Sequence, residues 1–550
     1  MLQSFNDALA FINSVIWHQV VIIFLLLVGI LFTVWNRFSQ WRSLTHGLGI
    51  VFGRHSEEDE PGAISHFQAL SAALSATVGV GNIGGTALAI AIGGPGALLW
   101  MWIVGLLGMA LKTMEVTLSM MYRQTETDGT VKGGPMWVVK RAMQRQEGQT
   151  PLLASILAGL FCVTLLIATF TGGLFFQAWN ASNVTQQFFG IPAWIVGIIL
   201  AAIVGLVILG GIKRIGSVAS KIVPFMCGVY LVAGIYVLVI NANAVPEMLG
   251  IVIQSAFSGT EASGAFVGGT LGSVFAIGMQ QAFFSNESGQ GSSPIVHAAA
   301  KTKEPVREGI VAGLEPFIDT IVVCTMTGLV ILLSGVWNRE ADFELARLPA
   351  IEQLAGQWDI SDTALPARTD RDWMSGDQVF CIVRTGAGPA QAPVQVTGTV
   401  VEQSGMKQID WQPFASDEPP EIEGGGIYHT YAGASLTALA FDRAHEGLGR
   451  WLVTMATWLF GISTMISWSY YGEQSVLFLF GRKAVLPYKL LFCFGIILSC
   501  LGLVQSQTEL THLANLGTGV MLWVNIPITL LFASRAVAAH QDYWHRTAGS

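Results

Sequence analysis

Long apolar runs, most near the roughly 20 residues a helix needs to cross a bilayer, recur along this chain between short polar joints. Eleven are read, at 18–37, 64–93, 96–122, 152–179, 192–211, 218–240, 264–285, 309–335, 444–468, 485–505 and 509–534. The pattern predicts an all-α polytopic membrane protein. One stretch breaks it. Residues 337–442 are acidic on balance, hold Pro/Gly-rich turns, and alternate in strand fashion over Gln378–Arg384 and Val394–Glu402. This predicts a small external domain, α+β or mostly β, in which Ala341–Gly356 has a helical reading.

Composition agrees. The 550 residues are 52% hydrophobic and 12% charged, against about 25% charged in soluble domains; a soluble enzyme is excluded. The six cysteines show no CxxC pairing or metal-ligand spacing, so neither a disulfide nor a metal centre is expected. The first apolar run is long enough to remain as a spanning helix rather than a cleaved leader.

Lysine and arginine set an orientation. Arg37, Arg42 and Arg54, the run from Arg123 to Arg145, Lys301, Lys303 and Arg307, and Arg482 and Lys483 all fall on one side of an eleven-span chain. The opposite loops around Gly94, Asn183, Val245 and Gln507 hold none. The C-terminus is therefore expected in the cytoplasm, with the N-terminus and residues 337–442 outside.

Candidate chemistry sits in span two, at Ser75-Ala-Thr-Val-Gly-Val-Gly-Asn-Ile-Gly-Gly85. Close helix packing would use such glycines, but Gly79 and Gly81 lie on different helix faces. A helix interrupted in lipid must line a site, because unpaired backbone groups cost several kcal/mol each. Span seven offers a counterpart from Gly268 to Gly278, with Phe275, Gly278 and Met279 as candidate contacts. Paired broken helices in two halves point to an inverted-repeat transporter. Its half-helix amide end suits a carboxylate, and freed carbonyls suit a cation.

Further polar groups stand inside the spans. Lys112 and Glu115, one turn apart, can neutralise each other as a structural pair, with a proton relay as the other reading. Asp319 reads either as helix glue or as a gate. Ser463 and Thr464 either offer hydroxyls to a hard cation or back-bond to their own helix. Gln177 and Trp468 are further candidate contacts. There is no nucleophile elbow or phosphate loop, and neither an enzyme, a nucleic-acid partner nor an obligate protein partner is expected.

These stretches, with GGPMW at 133–137, FFSNESGQGSSPIVHAAA at 283–300, FIDTIVVCT at 317–325 and STMISWSYYGE at 463–473, resemble the alanine or glycine:cation symporter family. The resemblance implies a LeuT-type fold, with spans two to eleven as a five-plus-five inverted repeat and the first span added. The units are then 1–63, a first repeat at 64–240, a second at 241–336 and 443–534, the insert at 337–442, and a tail at 535–550. It further implies that Gly79, Val80, Gly81 and Asn82 cradle substrate, with Gln177, Thr464 and Trp468 in contact. Sodium would be held by the carbonyls of Ser75 and Val78 and the hydroxyls of Ser463 and Thr464. Gln281 and Ala282 depart from the family's basic residue and glycine, and Ser288 from its frequent alanine. The expected activity is sodium-coupled import of a small neutral amino acid, alanine or glycine first and glutamine second, across a prokaryotic plasma membrane. No cofactor is expected beyond the coupling ion. A proton-coupled symporter and a solute receptor using the insert are the alternatives.

Overall fold

The computed structural model describes residues 2–54, 60–125, 131–144, 149–258, 264–268, 271–354, 356–361, 363–365, 373–385, 392–403, 406–416, 418–431, 433–504 and 507–548. Arg145, in the second of the basic groups expected in the cytoplasm, and Gly269 and Thr270 in the span-seven run lie outside these. Among the described residues, seven helices are long and apolar enough to cross a membrane, and eight with one pair bent by 50° counted as a single span. That is short of eleven by these measures. Spans five, seven and ten form shorter helices, Ala193–Ile208, Leu271–Asn286 and Val485–Ser499.

The elements that position the site, in chain order, are α1 (Gln19–Trp35), α2 (His66–Thr77), α3 (Thr86–Gly93), α4 (Ala97–Tyr122), α5 (Leu152–Phe170) and α6 (Phe176–Phe189). After them come α7 (Gly211–Ile240), α8 (Leu271–Asn286), α9 (Ser293–His297), α10 (Pro305–Ala312), α11 (Thr325–Ser334), α12 (Ala434–Ala444), α13 (Leu448–Phe480), α14 (Val485–Ser499) and α15 (Gln507–Ala548). The expected tail from 535 is therefore the continuation of α15.

Ser65 starts α2 with a capping box, its hydroxyl accepting from Gln68 N at 3.2 Å while Gln68 Oε1 accepts from Ser65 N at 3.1 Å. α2 and α3 are the pair that is bent. Between them lie the unwound Val78 and Gly79, then Val80 and a π-helical turn, Gly81–Gly85. A second π-helical segment, Phe317–Cys324, stands beside it, and a third, Thr171–Phe175, packs on α5, α6 and α13. Such widenings of a helix gather at functional sites.

Span seven is interrupted elsewhere than expected. Its glycine-rich part continues as helix from Leu271, and the chain breaks at Glu287–Ser292, where Glu287, Gly289 and Gly291 take positive φ values of 55°, 82° and 81°. The reason is packing. A Cβ on Gly278 would stand 2.5 Å from the Ala97 carbonyl oxygen, so this glycine admits α4 rather than opening the helix.

The insert is a six-stranded antiparallel sheet and a separate hairpin. Its strands are β1 (Phe343–Glu344), β2 (Ile351–Leu354), β3 (Gln357–Ile360), β4 (Thr363–Ala364), β5 (Gln378–Thr385), β6 (Ala392–Gln403), β7 (Met406–Trp411) and β8 (Glu421–His429). The sheet order is β1-β8-β5-β6-β7-β4, with β2 and β3 as the hairpin. The helical reading of Ala341–Gly356 is overturned: its Ile351–Leu354 pairs with Gln357–Ile360 across a glycine turn with φ +86° at Gly356. Cys381 lies in the sheet's own core beside Val379, Val383 and Ile427, and burial pushes its thiol up to about 12.

At pH near 8 that shift leaves Cys381 with roughly a thousand-fold less thiolate than a free cysteine. Maleimide labelling followed by peptide mapping should leave it unmodified in the folded protein and label it once denaturant opens the sheet. Rapid labelling of the native protein would show that the sheet does not bury it.

Candidate functional site

Unwinding between α2 and α3 frees backbone groups that lipid cannot satisfy. Side chains from four other elements take them up. Gly79 N donates to Asn82 Oδ1 at 2.8 Å and Val80 N to Gln177 Oε1 at 3.0 Å. The Gly81 carbonyl accepts from Gln281 Nε2 at 2.9 Å, and that of Ile83 from Thr437 Oγ1 at 3.0 Å. α13 closes the other side: Thr464 Oγ1 donates to the Ser75 carbonyl at 3.0 Å and Ser467 Oγ to that of Ala72 at 2.8 Å. Ser75 Oγ answers with a bond to the Ser463 carbonyl at 2.7 Å.

The approach is as close as chains allow. A Cβ on Gly79 would lie 2.6 Å from Thr464 Oγ1 and 3.1 Å from Gln177 Oε1. Gly79, Gly81, Gln177 and Trp468 line a common cavity with Gly172 and Phe284. Its volume, counted as space for the centre of a water molecule, is about 20 Å³, enough for one water or so.

Asn82 stands behind this cavity rather than on its wall. Its Nδ2 donates to Ser285 Oγ at 2.9 Å and to the Asp319 carboxylate. Ser285 and Thr320 hydroxyls also donate to Asp319, at 2.9 and 2.8 Å. Asp319 is fully buried, and among the described residues no cationic side chain lies within salt-bridge distance of it. One side chain thus links the first break, α8 and the π-helical segment of Asp319.

The remaining candidates divide. Ser463 Oγ bonds back to the Phe460 carbonyl at 2.9 Å, whereas Thr464 crosses to α2. Val78 is buried at the end of α2, its N–H still bonded to Leu74 O. Phe275, Gly278 and Met279 are not in the cavity wall. Phe275 meets Trp100 at 4.7 Å between ring centres, Gly278 abuts Ala97, and Met279 is buried in the core. Lys112 pairs with Glu315 at 3.2 Å instead of Glu115. Glu115 instead accepts from the amides of Gly289 and Gly291 at 3.3 and 3.1 Å and from Asn525 Nδ2 at 2.9 Å, and so holds the second break. Residue-by-residue reading missed Phe284 and Ser285, although both lie in the FFSNES stretch.

The profile described as the sodium:alanine symporter family matches residues 2–363 and 422–549. The chain belongs to the sodium:alanine symporter family. A sodium/alanine symporter of Methanococcus maripaludis is 32% identical over 528 residues, covering 96% of this chain and 94% of its own. A sodium/proton-dependent alanine carrier protein of Bacillus sp. (strain PS3) is 28% identical over 502 residues, covering 90% of each. As a member of the sodium:alanine symporter family, the chain is a polytopic membrane transporter. Residues 364–421, most of the insert, fall outside the family profile.

The Asn82–Asp319 link can be tested on stability. Asn82→Ala strands the Gly79 amide and costs about 1–3 kcal/mol; Asn82→Asp sets a second carboxylate against Asp319 and should lower the melting temperature further. An Asn82→Asp protein that melts like the wild type would remove the link.

Proposed function

We propose that this chain imports a small neutral amino acid, alanine or glycine, together with sodium, by alternating access across a prokaryotic plasma membrane. The proposed scaffold is an eleven-span chain with a five-plus-five inverted repeat from α2 onward, its N-terminus outside and its C-terminus in the cytoplasm. The observation that carries the reading is the close approach of Gly79 to Thr464 and Gln177 beside a cavity that Trp468 helps to line. Gln177 Oε1 rests on the Val80 amide, where a substrate carboxylate oxygen would bind. Substrate then displaces Gln177 and gains amides that carry the partial positive charge of a half-helix end. The zwitterion needs no buried formal charge opposite it. Sodium is assigned to the carbonyls of Ser75 and Val78 with the Thr464 hydroxyl. Ser463 joins only if it gives up its bond to Phe460. Asp319 reports the state of the first break to α8 through Asn82 and Ser285.

The cavity is too small for an amino acid as it stands, so binding must move Phe284, Trp468 or Gln177. The driving force is ample. A membrane potential supplies about 2.3 kcal/mol per charge per 100 mV and a tenfold sodium gradient about 1.4 kcal/mol. Together these hold the solute several-hundred-fold concentrated at one-to-one stoichiometry.

Proteoliposomes should accumulate labelled alanine under an inward sodium gradient, and not when potassium replaces sodium; glycine and glutamine as competitors rank the substrates. A proton gradient that drives uptake in the absence of sodium would overturn the choice of ion. Thr464→Val should weaken sodium dependence about tenfold or more with folding nearly intact, and Gly79→Leu should abolish uptake by filling the break. Normal sodium dependence in the first, or normal uptake in the second, removes that residue from the site. Deleting residues 340–430 should leave uptake measurable, which a receptor reading of the insert does not expect.

A further inference from the structure

Next to the second break lies a chain of buried ionisable groups with no part in the substrate site. His66 Nδ1, at the start of α2, is bonded to one oxygen of Glu308 on α10. The other oxygen faces His297 Nδ1 at 2.5 Å, and His297 Nε2 faces Glu315 Oε1 at 2.7 Å. Glu315 Oε2 completes the chain 3.2 Å from Lys112 Nζ on α4. Ser293 Oγ, at the start of α9, also donates to Glu315, at 2.7 Å. All five ionisable side chains are at most 3% exposed.

Both ring nitrogens of His297 thus face carboxylates. An ionised carboxylate only accepts, and a neutral imidazole donates from one nitrogen only. Making both bonds requires one proton more than a neutral imidazole between two carboxylates carries. With that proton, it and Lys112 balance Glu308 and Glu315. Without it, one imidazole lone pair points at a carboxylate and a net negative charge stays buried, which costs several kcal/mol unless the groups part. Separations of 2.5 and 2.7 Å leave no room for a metal ion between the partners.

We propose that His297, gripped between Glu308 and Glu315, is a proton-binding site that locks α9 against α10 and α4. The lock lies beside the second break, since α9 follows Glu287–Ser292 directly. Loss of the proton to water frees α9, the motion an inner gate needs. The other ionisable groups around it are accounted for. Glu115 of α4 holds the Gly289 and Gly291 amides, and Arg123 beyond α4 donates to the Ala298 carbonyl at 2.8 Å. Glu287 accepts from Ser292 Oγ, the buried Tyr471 hydroxyl of α13 makes no hydrogen bond among the described residues, and His540 of α15 bonds Thr117 at 3.0 Å.

The site is defined without reference to substrate, so its test needs none. Hydrogen–deuterium exchange of residues 293–300 is followed on the full chain in lipid nanodiscs from about pH 6 to about pH 10, corrected for intrinsic exchange rates. Wild-type protection should be constant at low pH, then fall about tenfold per pH unit once the proton is lost, the slope of a single linked proton. Gln at position 297 or 308 can donate and accept without an extra proton. His297→Gln and Glu308→Gln should therefore each flatten the profile, and either variant suffices if the other does not fold. Flat wild-type protection, or the wild-type pH dependence retained in a folded variant, overturns the site. A wild-type protein that shows the slope but accumulates no alanine overturns the transport reading and leaves the proton site standing.

Discussion

An interrupted helix inside a bilayer must have its freed amides and carbonyls satisfied by protein, and the rest of this structure is arranged around meeting that demand between α2 and α3. The partners come from α6 (Gln177), α8 (Gln281), α12 (Thr437) and α13 (Thr464 and Ser467). Each bond that satisfies the break also fixes one of these helices to it. A ligand that takes over one of the bonds is therefore felt by several helices at once.

The two breaks solve the same problem with different chemistry. Around the first, the backbone partners are neutral amides and hydroxyls; of the buried carboxylates nearby, Asp319 stays behind Asn82, while Glu287 reaches the cavity wall and accepts from Ser292 Oγ. Around the second, Glu115 holds the Gly289 and Gly291 amides, with the Lys112–Glu315–His297–Glu308–His66 chain alongside. A neutral site suits a zwitterion with its own balanced charges. The insert stands apart from both, with a core of its own.

Local signals carried some of this and not the rest. Gly79 and Gly81 were legible because their spacing suits no single packing face, whereas Gln177, Thr464 and Trp468 each left a second reading open alone and were singled out through the family resemblance. Gly278 was misleading: a glycine that admits a neighbouring helix and one that opens a helix read alike until the Ala97 carbonyl is in place. Lys112 lies one turn from Glu115, yet Glu315, distant in sequence, reaches it. Gln281, visible only as a departure from the family's pattern, supplies the bond to the Gly81 carbonyl. In the insert, strands with strict alternation were legible, whereas Ile351–Leu354 owes its strand to the hairpin that pairs it.

The sequence by itself determined the solvent, the mostly helical class, the membrane-transporter family and the place of the first break, because hydropathy, glycine spacing and motif order are properties of a chain read in one dimension. Only the tertiary structure decided where the second helix opens, which acid neutralises Lys112, that Phe284 shares a wall with Gly79, and that His297 lies between two carboxylates. Those outcomes depend on which side chains from remote segments reach the same buried point. In a low-dielectric interior, hydrogen bonds and charges are settled by the partners within a few ångströms, however far away in sequence they begin.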